Sequence, residues 1–239
     1  MMNNLNKIRY RIEYLDLKYP YLKFIPLIII LLSLFIDRND IILSIFRVTA
    51  FFIAVVLHEI AHGIVAYYLG DNTAKNAGRL TLNPIKHFDL EGLLLPAMLL
   101  LFGSPIIIGS AKPVPVNYYN LKLKKLGIFL VSIAGVATNF LLVITALLLY
   151  KFIFIVYVRI FLIEFIIINI VLGVFNLVPI PPLDGSRILR LIVPRDFKYA
   201  LDRIEANPFI SFFLIMLLIY SNILRSVYTY VFGLLSWIL

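Results

Sequence analysis

Residues 126–150 run from Leu126 to Tyr150 without one Asp, Glu, Lys or Arg. Few surroundings suit so long an apolar stretch. The commonest is a bilayer's hydrocarbon core, about 30 Å thick and crossed by roughly 20 residues of helix. Other apolar blocks lie near 22–36, 46–70, 161–178 and 207–223. The whole chain of 239 residues is 62% hydrophobic and 15% charged, against about half and a quarter in soluble domains. Lipid offers no partner for backbone amides, so only helices and closed barrels span it. Continuous apolar blocks, rather than ten-residue alternation, select helices. The expectation is an all-α membrane bundle of about six transmembrane helices.

Between the blocks the chain is polar, basic and turn-rich. Residues 1–21 form a basic amphipathic lead with Lys7, Arg9, Arg11 and Lys18. Residues 92–110 are apolar but interrupted by Pro96, Gly103, Pro105 and Gly109. The extended run Ala111-Lys-Pro-Val-Pro-Val-Asn117 comes next, its prolines rejecting helix. Taking the basic N-terminus as cytoplasmic, both Gly70 and the Lys112, Lys122, Lys124, Lys125 cluster fall inside. That holds if 92–110 enters the membrane and returns on the same side, as a re-entrant rather than spanning element. The tail 226–239 is a short apolar helix. Three parts are expected: a lead and first helix over 1–45, a core over 46–195, and C-terminal membrane segments over 196–239. The net charge of +9 is assigned to anionic headgroups and the bilayer, not to nucleic acid. The chain has no cysteine, which excludes disulfides, thiolate metal sites and thiol nucleophiles. Compact size and the lack of targeting features favour a prokaryotic plasma membrane.

Within the second block stands His58-Glu59-Ile60-Ala61-His62. Helical spacing puts both imidazoles on one face, one turn apart, where they can hold a zinc ion with the glutamate beside them as base. Ionisable groups inside a membrane span are costly and mark function. A catalytic zinc takes three protein ligands, so a third donor is needed far along the chain. Asp184, in Asn176-Leu-Val-Pro-Ile-Pro-Pro-Leu-Asp-Gly185, is the best candidate. Prolines 179, 181 and 182 break the helix there, and irregular backbone at membrane depth must be buried or line a cavity. The plainer reading is that Leu-Asp-Gly simply turns a loop. Glu59 would take the proton of an attacking water and pass it to the leaving amine. Asn176 would donate a hydrogen bond to the substrate backbone or to the oxyanion. His87 reads as an interfacial loop residue, and Glu164 as an outer-interface group near Arg159.

Taken together, these blocks resemble the site-2 protease family of intramembrane zinc metalloproteases (peptidase family M50). The resemblance rests on His58 to Gly63, Gly78-Arg-Leu-Thr-Leu-Asn-Pro84, Ala111 to Asn117, Ala134-Gly135 with Asn139, and Asn176 to Gly185. It implies zinc bound by His58, His62 and Asp184, catalysis by Glu59, and a substrate-holding Asn176. It also implies three core helices, here 46–70, 126–150 and 161–183, and a membrane-associated β element with an edge to pair with unwound substrate. The implied activity is regulated intramembrane proteolysis: hydrolysis of a peptide bond in or near another protein's transmembrane segment. The charge bias, separately, opens the site towards the cytoplasm. A regulatory membrane partner is left open. Val136 departs from the family, where many members have proline. Two rivals use the same residues: a metal or proton transporter, and a catalytically silent protein that binds membrane helices.

Overall fold

The computed structural model describes residues 41–87 and 113–221, together with 226, 229, 230 and 233. The lead over 1–21, the block at 22–36, the segment at 92–110 and most of the tail lie outside them. The chain divides into two units, 1–44 with 88–112 and 45–87 with 113–239. The described residues of the first are only the opening turn of a long helix; the second holds all the rest.

Three helices here are long and apolar enough to cross a membrane: α1 (Ile41–Tyr68), and, further along, Lys124–Phe152 and Val156–Asn176. At 1.5 Å per residue, even the last reaches roughly 30 Å, a bilayer's apolar thickness. Two single-turn helices come after α1: α2 (Thr73–Asn76) and α3 (Pro84–His87). A 3₁₀ turn at Tyr118–Asn120 then leads into α4 (Lys124–Phe152) and α5 (Val156–Asn176). Three shorter helices follow: α6 (Asp184–Ile192), α7 (Arg195–Glu205) and α8 (Pro208–Tyr220). No strand occurs among the described residues. The segment 113–117 is in neither helix nor strand, and its alternating prolines leave it too few amides for a ladder.

The helix ends reflect local chemistry. α1 stops at Gly70, whose φ of +105° suits glycine. Gly70 N donates to Tyr67 O and Asp71 N to Ala66 O, closing the last carbonyls in a Schellman turn. α5 stops at the Pro-rich run 179–182. α8 starts where the Asn207 side chain accepts from Phe209 N and Ile210 N.

One apolar cluster joins the three long helices: Ala50 of α1, Val143 and Ala146 of α4, and Leu162, Phe165, Ile166 and Ile167 of α5. On its outer face α4 exposes Leu141, Ile144 and Leu148, as a lipid-facing surface does. Small residues let the helices approach. A Cβ on Gly173 would stand 3.3 Å from the Phe140 ring. Away from this cluster, Arg47 grips Glu164 through Nε at 3.0 Å and Nη2 at 3.3 Å. Arg159, the neighbour expected from sequence, stacks instead over the Tyr150 ring at 4.0 Å. Helix α1 supplies the nearer cation, which sequence proximity could not reveal.

Candidate metal centre

His58 and His62 lie on α1 one turn apart, and both are buried. Asp184 is the first residue of α6, also buried. It comes under the histidines because the chain after α5 folds back on itself. A Cβ on Gly185 would stand 2.2 Å from the Leu177 carbonyl oxygen, so only glycine permits that turn. Gly135 of α4 does the same for His58: a Cβ there would meet its ring atoms at 2.4–2.6 Å. The Ala134-Gly135 block is thus a notch for an imidazole.

His58 Nε2 and His62 Nε2 each lie 3.1 Å from Asp184 Oδ2, and 3.0 Å from each other. The ligand atoms of all three residues fall within 4.8 Å. Their protonation can be read from fixed carbonyls. Phe165 O only accepts, so the Asn169 amide must donate to it, at 2.8 Å. That turns Asn169 Oδ1 towards Asn139 Nδ2, at 3.2 Å, and Asn139 Oδ1 towards His58 Nδ1, at 2.6 Å. His58 therefore carries its proton on Nδ1. His62 Nδ1 likewise donates to Val131 O at 2.6 Å. With the imidazoles neutral, as metal ligands must be, both Nε2 atoms are lone-pair donors facing one carboxylate oxygen.

In that form three acceptors converge with no hydrogen between them, and they repel one another unless a cation joins them. Two imidazole nitrogens and a carboxylate oxygen are the donor set of a catalytic zinc site with one position left for water. The group fits a zinc ion. The outer nitrogens are held as metal-bound histidines require, one by an asparagine pair and one by a backbone carbonyl. Arg187 Nη1, 3.3 Å from Asp184 Oδ1, steadies the oxygen that faces away.

Glu59, half-buried beside His58, accepts from Val114 N at 2.8 Å through Oε2. Asn176 ends α5 and donates Nδ2 to Leu172 O of its own helix at 3.0 Å. His87 is buried, with Nε2 2.7 Å from Thr81 O. Asn169, Val114 and Arg187 carry roles that spacing alone did not announce. A lone amide within the apolar run of α5 was the available signal for Asn169.

Such a site between apolar helices fits an integral membrane metalloprotease. The model of "Peptidase family M50" matches residues 151–220. The chain is 38% identical over 177 residues to the "Putative zinc metalloprotease YwhC" of Bacillus subtilis, covering 70% of this chain and 78% of that one. It is 30% identical over 202 residues to the "Zinc metalloprotease MJ0392" of Methanocaldococcus jannaschii, covering 83% of this chain and 49% of the relative. A third relative, the "Putative zinc metalloprotease Rip2" of Mycolicibacterium smegmatis, is 28% identical over 144 residues, 58% of this chain and 53% of its own. The chain thus spans about half the length of the last two. No solved structure matches. This chain belongs to peptidase family M50, the site-2 protease family.

Proposed function

We propose that the chain cuts a peptide bond within or near the transmembrane helix of another membrane protein. The observation that carries this reading is the cluster's place in an apolar helix. His58 and His62 fall within Ile42–Tyr68, a helix long and apolar enough to cross a membrane. His58, His62 and Asp184 would hold the metal. Zinc, when bound, acidifies a water and polarises the scissile carbonyl.

The protein's own groups do the rest. Glu59 keeps one carboxylate oxygen on the Val114 amide and uses the other to take the water's proton, later giving it to the leaving amine. Asn176 releases its helix carbonyl and donates to substrate. A substrate helix hides its amides and must unwind locally, which favours substrates with helix-weakening residues. The basic loops argue for a site opening to the cytoplasm of a prokaryotic plasma membrane, in regulated intramembrane proteolysis.

The test is zinc content and cleavage of a panel of tagged single-span proteins by wild type and Glu59→Gln. The expected result is one zinc per chain in both and a fall in cleavage of about 10³-fold or more in the mutant. Undiminished cleavage by Glu59→Gln would remove Glu59 from its role. Zinc transport into vesicles, lost in the mutant, with no cleavage by wild type, would replace the protease by a transporter.

A further inference from the structure

The carboxylate of Asp71 is 0% exposed, and nothing in the chemistry above uses it. Its Oδ1 accepts from Thr73 N at 3.1 Å, Thr73 Oγ1 at 2.5 Å and Asn120 Nδ2 at 3.0 Å. Its Oδ2 accepts from Asn117 N at 2.7 Å. The Thr73 bonds are ordinary turn chemistry. Asn117 and Asn120, by contrast, lie 46 and 49 residues further along. Asp71 therefore ties the end of α1 to the segment that precedes α4, helped by Lys122 N donating to Leu69 O at 2.9 Å. Gly70 already closes α1, so the helix does not need a buried anion for its cap. Burying one is costly unless its donors are in place.

Further back on the same segment, Val114 N donates to Glu59 Oε2 at 2.8 Å. Between Val114 and Asn117 the chain is in neither helix nor strand, and Asn117 has extended φ and ψ of −97° and 98°. Pro115 fixes its own φ and keeps Val114 out of the helical region. Only Pro115 and Val116 separate the two anchored amides, so the link between them is short. The buried Val114 side chain seats on Gly63, where a Cβ would stand 2.8 Å from Val114 Cγ1. The Val114 amide is thus pinned from two sides, by Gly63 against its side chain and by Asp71 through the backbone at Asn117.

We infer that Asp71 is a positioning residue for the hydrolytic step. By anchoring Asn117 and Asn120 it sets the Val114 amide, which holds one oxygen of Glu59 and leaves the other for the proton. The inference rests on the protease reading. It differs from a merely structural role because it acts through Glu59 alone, sparing metal and substrate binding.

The experiment uses the full zinc-loaded chain in detergent and compares wild type, Asp71→Ala, Asn120→Ala, Glu59→Asp and the double variant Asp71→Ala/Glu59→Asp. Asp71→Ala should lower kcat about tenfold or more, with KM within about twofold and zinc retained. Hydrogen exchange at the Val114 amide should rise. Asn120→Ala, which removes one bond of the four, should lower kcat less, and it decides the matter if Asp71→Ala does not fold. In the Glu59→Asp background, loss of Asp71 should cost little more, since residues acting as one unit are not additive. An unchanged kcat, additive losses, or zinc lost along with activity would each overturn the role. A wild type that cuts nothing, with Glu59→Gln equally silent, overturns the protease reading and this role with it. Val114 exchange then tells separately whether Asp71 anchors the segment.

Discussion

Asp184 and Asp71 are both shut off from solvent, 4% and 0% exposed, yet their surroundings are opposite. Around Asp71 every close partner donates a hydrogen bond. The carboxylate accepts four hydrogen bonds, about as many as its lone pairs allow. Around Asp184 Oδ2 stand two imidazole nitrogens whose protons are committed elsewhere, to Asn139 and Val131. That oxygen and those nitrogens share an unmet demand for positive charge. Burial alone does not separate a binding site from a structural anchor; the balance of donors and acceptors does.

Substitutions put this contrast under strain, and the heaviest blow should come from a methyl group. Gly135→Ala places one 2.4–2.6 Å from the His58 ring, so the imidazole must leave its position. Zinc should fall to a small fraction of one per chain, read by elemental analysis. Gly173→Ala, facing the Phe140 ring at 3.3 Å, should keep its zinc. Next comes the asparagine pair. Asn169→Leu frees Asn139 to flip and unfixes the proton on His58 Nδ1. Zinc affinity, measured by competition with a chelator, should weaken about 10- to 100-fold. Asn139→Asp should weaken it less, because an oxygen still accepts from Nδ1.

The mildest change belongs to Asp71. Burial, the largest influence, pushes its carboxyl up, but the bonds from Thr73, Asn120 and Asn117 together outweigh it and hold it below the ordinary value of 3.8. A carboxyl lower in the folded than the unfolded state stabilises the fold fully above the unfolded value. That contribution disappears as pH falls through the folded value. Thermal melts of wild type from about pH 6 down to pH 3 should show a loss that Asp71→Asn lacks. Parallel curves would place the carboxyl at its ordinary value.

Much of this is legible in sequence, and the reasons are local. Uncharged runs mark the long helices, though α4 and α5 begin at Lys124 and Val156 rather than near 126 and 161. Hydropathy marks where lipid contact starts, whereas helices continue through their polar ends. The His58, Glu59, His62 spacing is a within-helix signal and is readable at once. The proline run before Asp184 announces irregular backbone, and α5 indeed stops at Asn176 instead of continuing to 183. Long-range partnership is not legible. Asn169 meets Asn139 across 30 residues, Asp71 meets Asn117 across 46, and Arg47 meets Glu164 across 117. No periodicity encodes such pairs; helix packing creates them.

Zinc per chain in Asp184→Asn and Asp71→Asn, purified side by side with wild type, reaches the root of the contrast. An amide at 184 weakens the one anionic donor of the cluster, while an amide at 71 touches only the anchor. About one zinc is expected in wild type and in Asp71→Asn, and close to none in Asp184→Asn. Full zinc retained by Asp184→Asn would refute the assignment of Asp184 as the third ligand.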